Sequence, residues 1–120
     1  MNKKVPKPKA GTVSIADFEK TAAGTEQGKV LVDVRNPDEV AQGKIKGSLN
    51  IPADQIGSRS SELPSDKEVL LFCPTGVRAE MAYNILQQKE IKTRYLDANI
   101  SIAEDGSSSF FLERSKKDNS

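Results

Sequence analysis

The residue most able to do chemistry in this chain is its only cysteine, Cys73. The loop that it opens reads Cys73-Pro74-Thr75-Gly76-Val77-Arg78. Pro74 and Gly76 follow an apolar run and end any strand there, so we predict a tight loop. The backbone N–H groups within residues 74 to 78, which Pro74 itself lacks, could turn inward as an anion nest. A helix N-terminus beside Arg78 would also favour the thiolate. These residues indicate a nucleophilic cysteine, whereas the alternative is a buried and inert thiol.

The sequence contains no histidine and no second cysteine. Cys–His and Ser–His dyads, histidine-bearing metal sites and the commonest general base are therefore excluded, and so is an intramolecular disulfide. A reactive Cys73 must be activated by backbone dipoles and cations. We expect neither a metal site nor a cofactor.

Two charged residues lie at the end of a second apolar run. Asp33 interrupts the β-branched stretch 30–34, and Arg35 follows that stretch directly. Because a buried charge requires a partner, Asp33 could accept N–H bonds from a neighbouring loop. It could equally reach solvent, and Arg35 could face solvent or line the same crevice. Both residues are candidates for the site, with these alternatives open.

The elements that must position these residues alternate between strands and helices. Apolar runs predict strands at 30–34, 69–72 and 93–96, with short strands at 12–13 and within 48–51. Helical spacing and capping residues predict helices after Ser14, after Asn36 and over 79–89, and a weak helix within 53–63. This alternation predicts an α/β domain of three layers, a mainly parallel sheet flanked by helices. Cys73 would then lie at the carboxyl edge of the sheet, where such folds bind ligands.

The C-terminal part of the chain has a different pattern. Residues 99–113 alternate polar and apolar side chains and turn at Asp105-Gly106, which predicts a β-hairpin that pairs 100–102 with 110–112. A hairpin alone is marginal in water, so it must pack on the domain or on another subunit. Its apolar residues could form the edge of a weak homodimer.

Composition bounds the class of protein. The 120 residues suffice for one domain, which we place at 11–114 between disordered tails at 1–10 and 115–120. A net charge of +1 with interspersed signs gives no electrostatic footprint for nucleic acid. No apolar run approaches the length of a membrane span, and the N-terminus lacks the apolar core of a signal peptide. We expect a cytoplasmic protein without nucleic-acid or membrane partners, although an excised domain or a mature exported protein would look the same.

Four motifs, in order, resemble a single rhodanese-like domain over about residues 12 to 96. They are Leu31-Val32-Asp33-Val34-Arg35 with Pro37 and Glu39, Ile45-Lys46-Gly47-Ser48-Leu49-Asn50-Ile51-Pro52, Val69-Leu70-Leu71-Phe72-Cys73, and Thr75-Gly76-Val77-Arg78-Ala79. The resemblance implies a sulfurtransferase. Its loop cysteine takes sulfur from a sulfane-sulfur donor as a persulfide and passes it to a thiol, a protein or another nucleophilic acceptor.

The resemblance also assigns roles to residues. It implies that Cys73 is the nucleophile and that Asp33 braces its loop. It implies that Arg35 and Arg78 line the mouth of the site. The substrate or the persulfide would be bound by the backbone of Pro74, Thr75, Gly76, Val77 and Arg78.

The chain departs from the family pattern at three places, one of which is the loop, where no second basic residue lies between Cys73 and Arg78. Lys44 stands where the second motif usually begins with histidine. The last strand of the family is usually followed by paired glycines and a downstream tryptophan. This chain has Leu96-Asp97-Ala98-Asn99 and no tryptophan. We therefore expect the hairpin to replace a C-terminal helix at the closing side of the pocket.

Two other functions stay open from the sequence. One is a cysteine-dependent phosphatase or arsenate reductase, whose loops hold one residue more between cysteine and arginine than the four that lie between Cys73 and Arg78. A shorter loop suits a sulfur atom better than a tetrahedral oxyanion. The other is a non-catalytic interaction module, which usually lacks the cysteine that this chain keeps. Sulfur transfer is therefore the favoured function.

Overall fold

One parallel sheet organises the protein, which we describe from a computed structural model over residues 10–110. Its strands are β1 (Thr12–Val13), β2 (Lys29–Asp33), β3 (Leu49–Asn50), β4 (Glu68–Phe72) and β5 (Thr93–Leu96). Their order is β1-β5-β4-β2-β3, and all four pairings are parallel. The predicted parallel arrangement of 30–34, 69–72 and 93–96 is confirmed, and the strand that precedes Cys73 is central.

The helices are α1 (Ile15–Ala22), α2 (Pro37–Val40) and α3 (Val77–Gln88). The predicted N-cap of α1 is confirmed, because the Ser14 hydroxyl accepts the backbone N–H of Asp17 at 3.1 Å. The predicted helix within 53–63 is wrong: that stretch forms two 3₁₀ turns, Ala53–Gln55 and Ser60–Glu62. Gly57 and the serines around it are poor helix formers, so the buried Ile56 and Leu63 are held by short turns instead.

The side chains of β4 alternate between two cores, one on each face of the sheet. Val69, Leu71 and Cys73 lie in the core that α3 covers. Leu70 and Phe72 lie in the core that contains Phe18 of α1. This alternation gives the three-layer α/β architecture that the sequence predicted.

A two-stranded hairpin closes the described chain. Strands β6 (Ile100–Ile102) and β7 (Ser108–Phe110) are antiparallel and pair Ile100 with Phe110 and Ile102 with Ser108. The predicted hairpin is confirmed, but its register differs, since 110–112 were expected to oppose 100–102. The hairpin packs on the domain through Phe110, whose ring centroid lies 5.9 Å from that of Phe18.

The predicted domain limits fall largely at residues that the structure does not describe. The tails 115–120 and 1–9, and the last domain residues 111–114, lie outside the described range, whereas residue 10 belongs to a turn. Within residues 10–110, no helix is both long and apolar enough to cross a membrane.

Candidate active site

The sulfur of Cys73 lies against the N-terminus of α3. Its Sγ accepts the backbone N–H of Gly76 at 3.2 Å and that of Ala79 at 3.3 Å. The first N–H groups of a helix have no acceptor within the helix, so the sulfur serves as the cap that the Gly76 side chain cannot supply. Ala79 lies one residue beyond the predicted nest of 74–78, and it is a site residue that the sequence did not identify.

Gly76 makes the sharp passage from β4 into α3 possible. Its φ of 87° is left-handed, a conformation that glycine adopts without the steric cost of a Cβ atom. The helix begins at Val77, two residues before the predicted start at Ala79. The apolar spacing could not show the earlier start, because Val77 is half-exposed and does not continue the buried face.

Further amides of this turn remain available to a ligand. Within residues 10–110, the backbone N–H groups of Thr75, Val77 and Arg78 have no hydrogen-bond acceptor. N–H groups at a helix start point out along the helix axis and carry partial positive charge. The loop can therefore stabilise an anion close to the sulfur of Cys73.

Arg78 is paired with a carboxylate instead of being free. Its guanidinium donates to both Glu39 oxygens, at 2.6 and 3.0 Å, with about a third of each side chain exposed. The hydrogen bond from Arg78 lowers the pKa of Glu39 to about 2, and it raises the pKa of Arg78 in return. Arg78 was expected to favour the thiolate with its positive charge, and in the structure that charge is paired with the Glu39 carboxylate.

Glu39 is the second site residue that sequence reasoning missed. The sequence points to it only as a residue of the first motif, with no role in the site. In the structure its carboxylate accepts the N–H of Asn36 at 2.9 Å, as in a capping box. The same carboxylate holds Arg78 across 39 positions of chain. A capping carboxylate on α2 therefore also fixes the guanidinium at the start of α3.

Asp33 and Arg35 form a buried pair with only 1% and 8% of their side chains exposed. Arg35 donates to the Asp33 carboxylate from Nε at 3.0 Å and from Nη2 at 2.7 Å. The backbone N–H of Arg35 donates to Asp33 as well, at 3.0 Å. The sequence left open whether each of these residues faces solvent or is buried. The structure shows that both are buried and that they pair with each other.

The expectation that Asp33 braces the cysteine loop is wrong. Within residues 10–110, its carboxylate accepts hydrogen bonds from Arg35 alone. The reason is strand alternation, which puts Val32 and Val34 in the core that contains Cys73 and turns Asp33 to the opposite face. Arg35 instead donates to the carbonyls of Gly43 at 2.8 Å and Glu39 at 3.3 Å, so the pair braces α2 and the segment after it.

A cleft of about 220 Å³ lies beside the cysteine loop. It is lined by Arg35, Pro74, Ile100, Ser101 and Ile102. The Ile100 N–H donates to the Pro74 carbonyl at 2.9 Å, which attaches the hairpin to the loop. Arg35 therefore lines a cleft beside the cysteine loop, and the hairpin forms the other wall of that cleft.

Comparison with known proteins gives concordant matches. The family model described as "Rhodanese-like domain" matches residues 17–111. A sulfurtransferase of Allochromatium vinosum is 42% identical over 60 residues, which are 50% of this chain and 56% of that protein. The chain spans about half the length of the first curated relatives it matches.

Solved structures share the fold. The chain matches a rhodanese-related protein of Thermoplasma volcanium with a TM-score of 0.63 and 26% identity, covering 73% of this chain and 84% of that one. It matches reduced CoADR-RHD of Bacillus anthracis with a TM-score of 0.64 and 36% identity, covering 73% of this chain and 15% of that one. Since the family model covers most of the described residues, the chain belongs to the rhodanese-like domain family.

Proposed function

We propose that the protein is a sulfurtransferase that carries sulfane sulfur as a persulfide on Cys73. The observation that supports this most is the pair of N–H bonds from Gly76 and Ala79 to Sγ. Such preorganised dipoles stabilise a sulfur anion without a general base, which suits a chain without histidine. The family and the sulfurtransferase name of a relative agree with this chemistry.

The first half-reaction transfers one sulfur atom from the donor. The Cys73 thiolate attacks the outer sulfur of a sulfane donor, and a new Sγ–S bond forms. The bond between that sulfur and the rest of the donor breaks, and its electron pair leaves with sulfite or a shortened polysulfide. The outer sulfur of the persulfide is anionic, and the unpaired amides of Thr75, Val77 and Arg78 can stabilise it.

The second half-reaction requires another molecule, because no second cysteine exists in this chain. A thiolate or cyanide attacks the outer sulfur, and the electron pair of the Sγ–S bond returns to Cys73. Cys73 is fully buried, so both donor and acceptor require a local opening of loop 73–76. Such openings occur at free energies well below that of global unfolding.

Mass spectrometry tests the first half-reaction. The protein is exposed in turn to thiosulfate, polysulfide and mercaptopyruvate, and we expect one donor to add a single sulfur atom. The donor product should appear in a burst of one equivalent without any acceptor, and cyanide should then remove the added sulfur. Cys73→Ser is the control and should add none. Absence of sulfur uptake from every donor would overturn the proposal.

The interaction module remains the second candidate, and the complete burial of Cys73 is the observation that favours it. It would be supported if the protein takes up no sulfur and Cys73→Ser binds a partner equally well. Phosphatase activity is disfavoured, because the guanidinium that would clamp the oxyanion is already bidentate on Glu39. Hydrolysis of an aryl phosphate through Cys73, without sulfur uptake, would replace the proposal with the phosphatase.

A further inference from the structure

An apolar stripe is exposed on α3. Among residues 10–110, the exposed large hydrophobic side chains are Leu49 on β3 and three residues of α3, namely Val77, Met81 and Ile85. The exposed fractions of Val77, Met81 and Ile85 are 49%, 56% and 37%. They are four positions apart, so they follow one another along one face of the helix.

The face that carries this stripe has no charge. Asn84 and Gln88 also lie on it, opposite the buried Ala79, Ala82 and Leu86. The two charged residues of α3, Arg78 and Glu80, lie on either side of this face. The cores of protein interfaces are depleted of charge and enriched in methionine. We call Val77, Met81, Asn84, Ile85 and Gln88 the α3 face.

The α3 face starts at the candidate active site. Val77 directly follows the cap residue Gly76, whose N–H donates to Cys73 Sγ. From Val77 to Ile85 the face extends about 12 Å along the helix, at 1.5 Å per residue. A molecule bound to it therefore has part of its surface beside the cysteine loop.

The size of the α3 face decides what kind of partner it fits. Three apolar side chains over about 12 Å cover far less than the roughly 800 Å² that each partner of a stable complex buries. A permanent second copy of this chain is therefore not accommodated by this face alone. Residues 1–9 are a poor occupant as well, because four of the nine are lysines and two are prolines. A transient protein partner fits the area.

We propose that the α3 face is the docking surface for a protein that accepts sulfur from Cys73 and presents its thiol beside an uncharged apolar patch. The proposal rests on the proposed sulfurtransferase function, and it names the acceptor class. In the transfer, the partner thiolate bonds to the outer sulfur and the Sγ–S electron pair returns to Cys73. The chain itself requires such a second molecule, since it has only one cysteine.

The test compares a protein acceptor with a small one on the same loaded enzyme. The persulfide is first formed and quantified without an acceptor. It is then discharged by reduced thioredoxin, used as a generic protein thiol, or by cyanide. The test variant is Met81→Glu, and the matched control is Gln87→Glu, which adds the same charge to an exposed position of α3 outside the face.

We expect Met81→Glu to slow discharge by thioredoxin about tenfold, which corresponds to about 1.4 kcal/mol, since the cores of protein interfaces are depleted of charge. Discharge by cyanide should be unchanged, and Gln87→Glu should match the wild type in both. Equal thioredoxin rates for Met81→Glu and wild type would overturn the proposal. So would wild-type persulfide that cyanide discharges and thioredoxin does not.

Two further results separate this proposal from others. If no donor loads sulfur, the proposed function fails at the first stage, and the acceptor proposal falls with it. If sedimentation shows a wild-type dimer that Met81→Glu dissociates, the face belongs to a second copy and the acceptor proposal is overturned. If every variant loads sulfur normally and only Met81→Glu slows discharge by thioredoxin, the result supports the proposal independently of the donor.

Discussion

At the scale of single residues, pairing determines what each charge does. Arg78 looks from the sequence like a cation that activates Cys73, yet Glu39 holds it in a bidentate pair. Arg35 is likewise occupied by Asp33. The sulfur is therefore contacted by backbone dipoles and not by a side-chain cation. The hydrogen bonds that the backbone N–H groups of Gly76 and Ala79 donate to the sulfur do not depend on the ionisation of any side chain.

The pairing of Glu39 makes stability depend on pH. Its folded pKa is lowered to about 2 from 4.5, so the ionised pair stabilises the fold above about pH 4.5, and this stabilisation is lost as pH falls through about 2. We expect Glu39→Gln to lower the free energy of unfolding by about 0.5–1 kcal/mol at pH 7, since the pair is a third exposed and screened. Urea unfolding from pH 7 to 2 measures this.

The control for this prediction is Glu62→Gln, which breaks a more exposed pair with Arg59. It should lower the free energy of unfolding by less than Glu39→Gln does at pH 7. The glutamine at 39 can still accept the Asn36 N–H through its amide oxygen, so the cap is kept. A difference between wild type and Glu39→Gln that persists undiminished at pH 2 would contradict the prediction.

At the scale of elements, the hairpin β6–β7 is the part that completes the site. It contacts the cysteine loop through Ile100 and Pro74. Its turn region packs on the segment after α2, where a Cβ on Gly43 would lie 2.2 Å from the Ala103 carbonyl oxygen. Gly43, three residues after the end of α2, therefore lies directly against the hairpin backbone. This contact explains how an otherwise marginal hairpin is held.

Gly43→Ala should loosen the hairpin specifically. The added Cβ clashes with the backbone of Ala103, and the φ of 155° is strained for any other residue. We expect a loss of about 1–3 kcal/mol in stability and faster hydrogen exchange at the amides of Ile100 and Ala103. Hydrogen-exchange mass spectrometry of peptides that cover 100–103 measures this.

The matched control is Gly47→Ala. Gly47 also has a positive φ, of 86°, but its Cβ would meet nothing within 4 Å. It should carry the backbone strain of about 1–2 kcal/mol without faster exchange in the hairpin. Equal protection of the hairpin amides from hydrogen exchange in both variants would show that Gly43 does not hold the hairpin in place.

At the scale of the whole molecule, Phe18 joins three elements into the core on one face of the sheet. It is fully buried on α1. Its ring makes edge contacts with Phe72 of β4 at 5.2 Å and with Phe110 of β7 at 5.9 Å between centroids. Since Phe72 directly precedes Cys73, this core also supports the strand end from which the cysteine loop starts.

Phe18→Ala should destabilise the entire protein. Removing a buried aromatic ring from a packed core costs about 3–5 kcal/mol. This is a large part of the free energy of unfolding of a typical protein, which is about 5–15 kcal/mol. Chemical denaturation followed by circular dichroism measures the loss. The exposed control Met81→Ala should change stability by less than about 0.5 kcal/mol. A loss below about 1 kcal/mol for Phe18→Ala would contradict the prediction.

The sequence by itself determined the elements and the position of the cysteine loop. The β-branched run of β2, the apolar run of β4 and the cap at Ser14 are local patterns, and each gave the observed element. The Asp105-Gly106 turn likewise predicted the hairpin. Local patterns suffice for these because backbone preference and apolar spacing act over a few residues. They failed at 53–63, where weak propensity left the kind of helix open.

Only the tertiary structure decided which residues meet at the site. Glu39 and Arg78 pair across 39 positions, the hairpin docks on Gly43, and Asp33 faces away from Cys73. The second amide on the sulfur comes from Ala79, because the helix starts earlier than its apolar face. Each of these depends on strand register and on the face that a side chain takes. The pattern of a single strand shows that its side chains alternate between two faces, but it does not show which elements lie against each face. That information comes only from long-range packing.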